Sequence, residues 1–125
     1  MIITTAKGKQ SIVLNLKEPA GKEAFHKIIA KSDFFVQNFR PGAMDRLGIT
    51  YNDLKLVNPK LIYVSGSGFG QTGPYSDKRI YDPVIQSYAG MGCEQGTDGQ
   101  TSSRLVFQFF FDKITAMVGC QAALA

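Results

Sequence analysis

Three short apolar runs, spaced by stretches with helical periodicity, set the pattern of this chain. The first occupies residues 10–16, where Ile12, Val13, Leu14 and Leu16 form a β-branched-rich run that predicts a strand. The second is Phe34-Phe35-Val36 and the third is Leu61-Ile62-Tyr63-Val64-Ser65, both read as buried strands. Between the first two, Ala24, Phe25, Ile28 and Ile29 recur at helical spacing, and Pro19 suits a first turn, so residues 18–31 read as a helix. After Val36 the chain breaks at Asn38-Phe39-Arg40-Pro41-Gly42, and residues 43–47 predict a short helix closed by Gly48. Thr50 as N-cap and Asp53 at the capping-box position open another helix. Leu54, Leu56 and Val57 are expected to face inward along it, until Asn58-Pro59 stops it.

Downstream, a Gly- and Ser-rich loop is expected over residues 66–78, a helix over 81–91 and a surface loop over 92–103. An aromatic, apolar run, Val106-Phe107-Gln108-Phe109-Phe110-Phe111, then leads into a last helix starting near Asp112. Strands alternating with helices imply parallel βαβ units. The fold class is therefore α/β: a partial doubly wound, Rossmann-like parallel sheet with flanking helices, forming a single segment over residues 1–125. Both ends read as cut, with few residues before the first strand and no helix stop signal at the last residues, so a segment of a larger fold is expected. In such sheets ligands sit at the carboxyl ends of strands. That singles out the loops after Val36, after Ser65 and before Asp112.

Composition narrows the classes. Of 125 residues, 44% are hydrophobic and 19% charged, which fits a globular chain rather than a disordered one. No apolar run approaches the ~20 residues of a membrane helix, and no signal-peptide layout opens the chain. The net charge of +4 suits an anionic partner. The basic residues are spread out, however, and no nucleic-acid signature is present, so a phosphorylated small molecule is at least as good a match as nucleic acid. Cys93 and Cys120 lack metal-ligand spacing and read as reduced packing residues of a cytoplasmic protein. With His26 as the sole histidine, no metal site is expected.

Candidate chemistry gathers in the loops. Gly68-Phe69-Gly70-Gln71-Thr72-Gly73 matches a dinucleotide pattern, but Pro74 stands where that loop would already be helix and no acidic residue ends a following strand, so NAD is not expected. The bland alternative is a loop with glycines at positive φ. Arg40 and Arg46 can converge on phosphate through their planar forks; as solvated arginines they would need no partner. Arg79-Ile80-Tyr81-Asp82 mixes a cation, an aromatic and an acid, with Asp82 a ready helix N-cap. Asp112 can cap the last helix or serve as a nucleophile at the mouth of an apolar site. His26 reads as a surface or half-buried helix residue.

Taken together, residues 36–48, Asn58-Pro59-Lys60-Leu61-Ile62-Tyr63 and Ser67-Gly68-Phe69-Gly70-Gln71-Thr72-Gly73-Pro74-Tyr75 closely resemble the class III CoA-transferase family, which includes formyl-CoA transferase, carnitine CoA-transferase and α-methylacyl-CoA racemase. The resemblance implies that Asn38, Phe39 and Arg40 line a coenzyme A site, that Arg46 meets its phosphate and that Arg79, Ile80, Tyr81 and Asp82 extend the contact. It places Asp112 at the position of the transferases' catalytic aspartate. It also implies acyl-CoA and a small carboxylic acid as substrates, an interlocked homodimer, and no metal or NAD. The racemase branch uses a histidine near the position of Tyr81-Asp82, so transfer is the expected reaction. An aspartate with an ordinary pKa of ~3.9 is ionised at neutral pH and can attack a thioester without a general base.

Two other classes stay open on the residues alone. One is a non-catalytic CoA- or nucleotide-binding module using Arg40, Arg46 and Arg79. The other is a structural or interaction fragment whose exposed apolar faces serve association.

Overall fold

A computed structural model describes residues 5–94 and 104–125. The opening residues before Thr5, and all of the expected 92–103 loop beyond Glu94, lie outside the described part. Helix α1 (Pro19–Ile29) begins with proline in its first turn, where the missing N–H costs no bond. Strand β1 (Phe34–Gln37) follows, then two short helices, α2 (Ala43–Arg46) and α3 (Tyr51–Val57), and strand β2 (Ile62–Ser65). The strands pair in parallel, Phe34 opposite Ile62 and Gln37 opposite Ser65. This is the βαβ arrangement that the alternation predicts, and the chain is a mixed α/β structure.

Local chemistry accounts for the boundaries. The Thr50 hydroxyl accepts the Asp53 N–H at 3.3 Å, while the Asp53 carboxylate accepts the Thr50 N–H at 2.8 Å, so the expected capping box forms. Gly48, at φ +65°, adopts the left-handed turn that ends α2, a conformation costly for other residues. Asn58 ends α3 and reaches back across the fold, donating to the carbonyls of Ile29 at 3.1 Å and Ser32 at 2.8 Å. Those two bonds tie the end of α1 to the start of β2.

The core lies between the sheet and the helices α1 to α3. Ile29, Met44, Ile49, Leu54 and Leu61 are buried together, with Phe25, Phe35 and Tyr63 packed on them. Phe25 meets Phe35 edge-on at 5.6 Å between ring centres, and Tyr51 meets Tyr63 at 5.8 Å. Leu54 has no exposed surface; burying such a side chain is worth about 1.5–3 kcal/mol.

Several expectations are corrected. Residues 10–16 form no strand: Val13 is 94% exposed, and no described segment pairs with the run. A strand persists through its neighbours, and among the described residues this favourable composition has none. Leu56 is 86% exposed rather than inward, because it lies two positions from Leu54, on the opposite side of a helical turn. The helix expected over 81–91 is two helices, α4 (Asp82–Tyr88) and α5 (Met91–Glu94), divided where Gly90 turns left-handed at φ +75°. Cys93 and Cys120 are free and exposed, so neither is a packing residue.

The last helix, α6 (Phe110–Leu124), starts two residues before Asp112 and contacts α4 and β2. The run preceding it is no strand. Gln108 and Phe109 take positive φ values of 104° and 53°, so the backbone enters α6 through a sharp turn.

Candidate active site

The sheet's carboxyl-terminal edge carries a polar network. Gln37 and Ser65, register partners at the strand ends, bond at 2.6 Å, and Gln71 of the following loop donates to the same serine hydroxyl at 2.9 Å. The Gln37 side-chain oxygen also accepts the Phe39 N–H at 2.8 Å, which sets the direction of the loop carrying Arg40. Gly68 packs tightly beneath Ile80: a Cβ there would sit 1.9 Å from its Cγ2 atom. Gly70 and Gly73 have positive φ values. The residues after Gly73 form turns and no helix, which removes the element a dinucleotide loop requires.

Two clefts open on this edge. One, of about 190 Å³, is lined by the strand-tip glutamine and serine together with Arg40, Asp45, Tyr51 and Tyr63. The other, of about 160 Å³, is lined by Phe39, Arg40, Pro41, Ser67, Gly68, Ser76, Lys78, Arg79, Ile80 and Tyr81. Arg40 and Pro41 border both, so the two clefts adjoin across a shared cationic wall. Around the second cleft, two guanidinium groups, an ammonium and two aromatic rings suit an anionic, phosphorylated ligand with a flat ring system.

Five residues singled out in the sequence, Phe39, Arg40, Arg79, Ile80 and Tyr81, thus meet in the second cleft, although some forty residues of chain separate the two groups. Asn38 lines neither cleft; its Cβ lies 3.9 Å from where a side chain on Gly66 would begin. Arg46 lines neither cleft and folds toward Gly42, whose Cβ position is 3.2 Å from its Nη1 atom. Asp82 is turned inward and only 5% exposed. Gln37, Ser65, Gln71 and Lys78 did not stand out in the sequence. The period-two register of β1 and β2 would have placed Gln37 and Ser65 together at the strand tips; nothing local distinguishes Gln71. Lys78 lies over the Tyr75 ring, 4.0 Å from its centre, and its loop position carried no such signal.

Asp112 occupies the third position of α6 and lines neither cleft. The N-cap position is Phe109, so Asp112 does not cap the helix. That role falls to Asp82, whose Oδ1 accepts the N–H of Phe111 at 2.6 Å and of Asp112 at 3.1 Å. Asp82 therefore caps a helix, as expected, but a neighbouring one rather than its own. Its Oδ2 accepts from the Gln86 side chain. Burial pushes the Asp82 carboxyl up, yet the bonds from Gln86 and from the backbone of Asp112, Phe111 and Phe110 outweigh it and hold the pKa below the ordinary 3.8. Asp112, exposed on α6, shifts the other way: partial desolvation first, then repulsion from Asp82, raise it above 3.8. Two neighbouring carboxyls are thus driven apart, a pattern found at catalytic sites and in structural networks alike.

The whole chain, residues 1–125, matches the family described as CoA-transferase family III. The chain belongs to that family. Acetyl-CoA:oxalate CoA-transferase of Acetobacter aceti is 49% identical over 85 residues, 68% of this chain and 22% of that protein. Succinate–glutarate CoA-transferase of Agrobacterium fabrum is 38% identical over 122 residues, 96% of this chain and 30% of that protein. Among solved structures, a CAIB/BAIF family protein from Brucella suis superimposes with a TM-score of 0.83 at 32% identity, covering 94% of this chain and 32% of that one. This family III chain therefore spans less than a third of the length of these relatives. Among the described residues, no three His, Cys, Asp or Glu side chains are grouped to hold a metal, and no helix is long and apolar enough to cross a membrane.

Proposed function

We propose that this chain carries the coenzyme-binding groove and the nucleophile of an enzyme that moves CoA from an acyl-CoA donor to a carboxylic acid acceptor. The observation that carries the reading is the meeting of Arg40, Arg79, Phe39 and Tyr81 around one cleft at the strand tips, in a family III chain. Arg40, Arg79 and Lys78 neutralise the coenzyme's phosphates, Asn38 and Ile80 border its path, and Arg46 adds positive charge from α2. Asp82 acts from beneath, through the backbone of α6.

In this reading Asp112 attacks the thioester carbonyl. The C–S bond breaks, CoA leaves as a thiolate, and an aspartyl–acyl mixed anhydride remains. The thiolate attacks the aspartyl carbonyl of the anhydride, releasing the donor acid as carboxylate and leaving an aspartyl-CoA thioester. An acceptor carboxylate then attacks that thioester, and the returning thiolate takes the acceptor's acyl group, which regenerates Asp112. No net electron is transferred, so the sequence holds no step for NAD. Holding the thiolate in the groove makes each return step intramolecular, an advantage of up to about 7–11 kcal/mol for well-oriented groups. A raised pKa makes the Asp112 carboxylate more basic, which favours attack. We place the enzyme in the cytoplasm as a homodimer.

The experiment incubates the protein, expressed in full, with acyl-CoA and then hydroxylamine or borohydride, and maps the product by mass spectrometry. Modification at Asp112, absent from Asp112→Asn, is expected. Normal turnover by Asp112→Asn removes that residue from the mechanism. CoA binding without any adduct leaves a binding module instead.

A further inference from the structure

The turn that delivers Asp112 is bracketed on both sides by one pair of side chains on α4. Upstream of it, Gln86 grips the backbone of Val106 twice: its Nε2 donates to the Val106 carbonyl at 2.9 Å, and its Oε1 accepts the Val106 N–H at 2.7 Å. Downstream, Asp82 holds the N–H groups of Phe111 and Asp112. The two side chains, one turn apart on α4, also bond to each other, and both are buried, Gln86 at 1% exposure. Between the two grips lie Gln108 and Phe109 at positive φ, a conformation that L residues hold only where surrounding structure imposes it. Phe109, at the N-cap, makes no side-chain cap bond of its own. Without Asp82, the first N–H groups of α6 would be unpaired and the turn would be free to relax.

We infer that Asp82 and Gln86 form a positioning brace that holds the strained Gln108–Phe109 turn and thereby fixes where Asp112 stands. The brace deepens the reading of Asp112 as nucleophile and rests on it. It touches neither substrate nor reacting atoms; it acts through the main chain of residues 106–112. A carboxylate is suited to the task, because it satisfies two N–H groups at a helix N-terminus where negative charge is favoured. Glutamine suits its place because one amide both donates and accepts, matching the carbonyl and N–H of a single residue.

The test measures, in the protein expressed in full, the single-turnover rate of adduct formation at Asp112 alongside kcat and the KM for acyl-CoA. Displacing a nucleophile by about an ångström costs on the order of a hundredfold in rate. Asp82→Ala and the volume-conserving Gln86→Met are accordingly expected to slow adduct formation by about tenfold or more, while KM changes by less than about threefold. Asp82→Asn keeps an oxygen for the two N–H groups but turns its amide N–H toward Gln86 Nε2, so it is expected to slow adduct formation, though by less than Asp82→Ala. Should Asp82→Ala fail to fold, Gln86→Met carries the test, and its thermal stability is read in parallel. A wild-type adduct rate in Gln86→Met overturns the inference. Absence of any Asp112 adduct in the wild-type protein is a different result, and rejects the nucleophile assignment itself.

Discussion

The carboxylate of Asp82 accepts the backbone N–H of Asp112 at 3.1 Å, so one acidic side chain holds the main chain of another acidic residue. The geometry binds the two together while their charges repel. It has opposite consequences for stability and for chemistry.

Asp112→Asn is expected to abolish turnover without lowering stability at neutral pH. The folded state raises the Asp112 pKa, through partial desolvation and then through Asp82, so the charged form is disfavoured by folding. Removing that charge relieves the penalty. A melting temperature equal to or above that of wild type, with kcat lost, is the expected pair of results. A marked drop in melting temperature would show that the carboxylate stabilises the fold.

The arginines of the groove should separate by position. Arg40 and Arg79 line the second cleft, and replacing either with alanine is expected to weaken acyl-CoA binding roughly tenfold, the usual scale for losing a charged hydrogen bond. Arg46 lines neither cleft, and its alanine variant is expected to lose less than about threefold. Calorimetry at two salt concentrations checks both points, because the attraction of exposed charges fades with ionic strength.

Gly68→Ala is expected to damage the groove from below. The added methyl would lie 1.9 Å from Ile80 Cγ2, so the wall formed by Ile80 must move outward. Overpacking of this kind costs about 1–3 kcal/mol. Denaturant melts should show a loss of that size, together with weaker CoA binding. A neutral result on both would mean that the loop yields without effect.

Acid should loosen the α4–α6 junction. The folded pKa of Asp82 lies below its unfolded value, so its stabilising contribution is complete above the unfolded value near 3.8 and is lost as pH falls through the folded one. Asp112 works in the other sense, its cost being relieved as pH falls through its raised value. Denaturation curves between about pH 2 and 7 are therefore expected to fall more steeply in acid for wild type than for Asp82→Asn. Parallel curves would remove Asp82 from the account.

Sequential spacing carried much of the fold. Thr50 and Asp53 announced a capping box, Gly48 a left-handed stop and Pro19 a helix start, because each depends on bonds between residues a turn apart. The two strands that pair were likewise readable, and so was the gathering of chemistry at their carboxyl ends. The run at residues 10–16 misled for the converse reason: β-branched composition states a preference, and only a neighbouring strand can satisfy it.

The site divided along the same line. Arg40, Arg79 and Tyr81 were visible as candidates from residue type and from loops at predicted strand ends, but their meeting in one cleft depends on how the segment after β2 folds back beside Pro41. Asp82 looked like a cap in either description; which helix it caps, twenty-eight residues away, is set by packing of α4 against α6. Local order comes from interactions a few residues long, whose partners the chain itself keeps within reach. Long-range contacts such as Gln86 to Val106 must be assembled against chain entropy, and their partners are chosen by shape and burial in three dimensions.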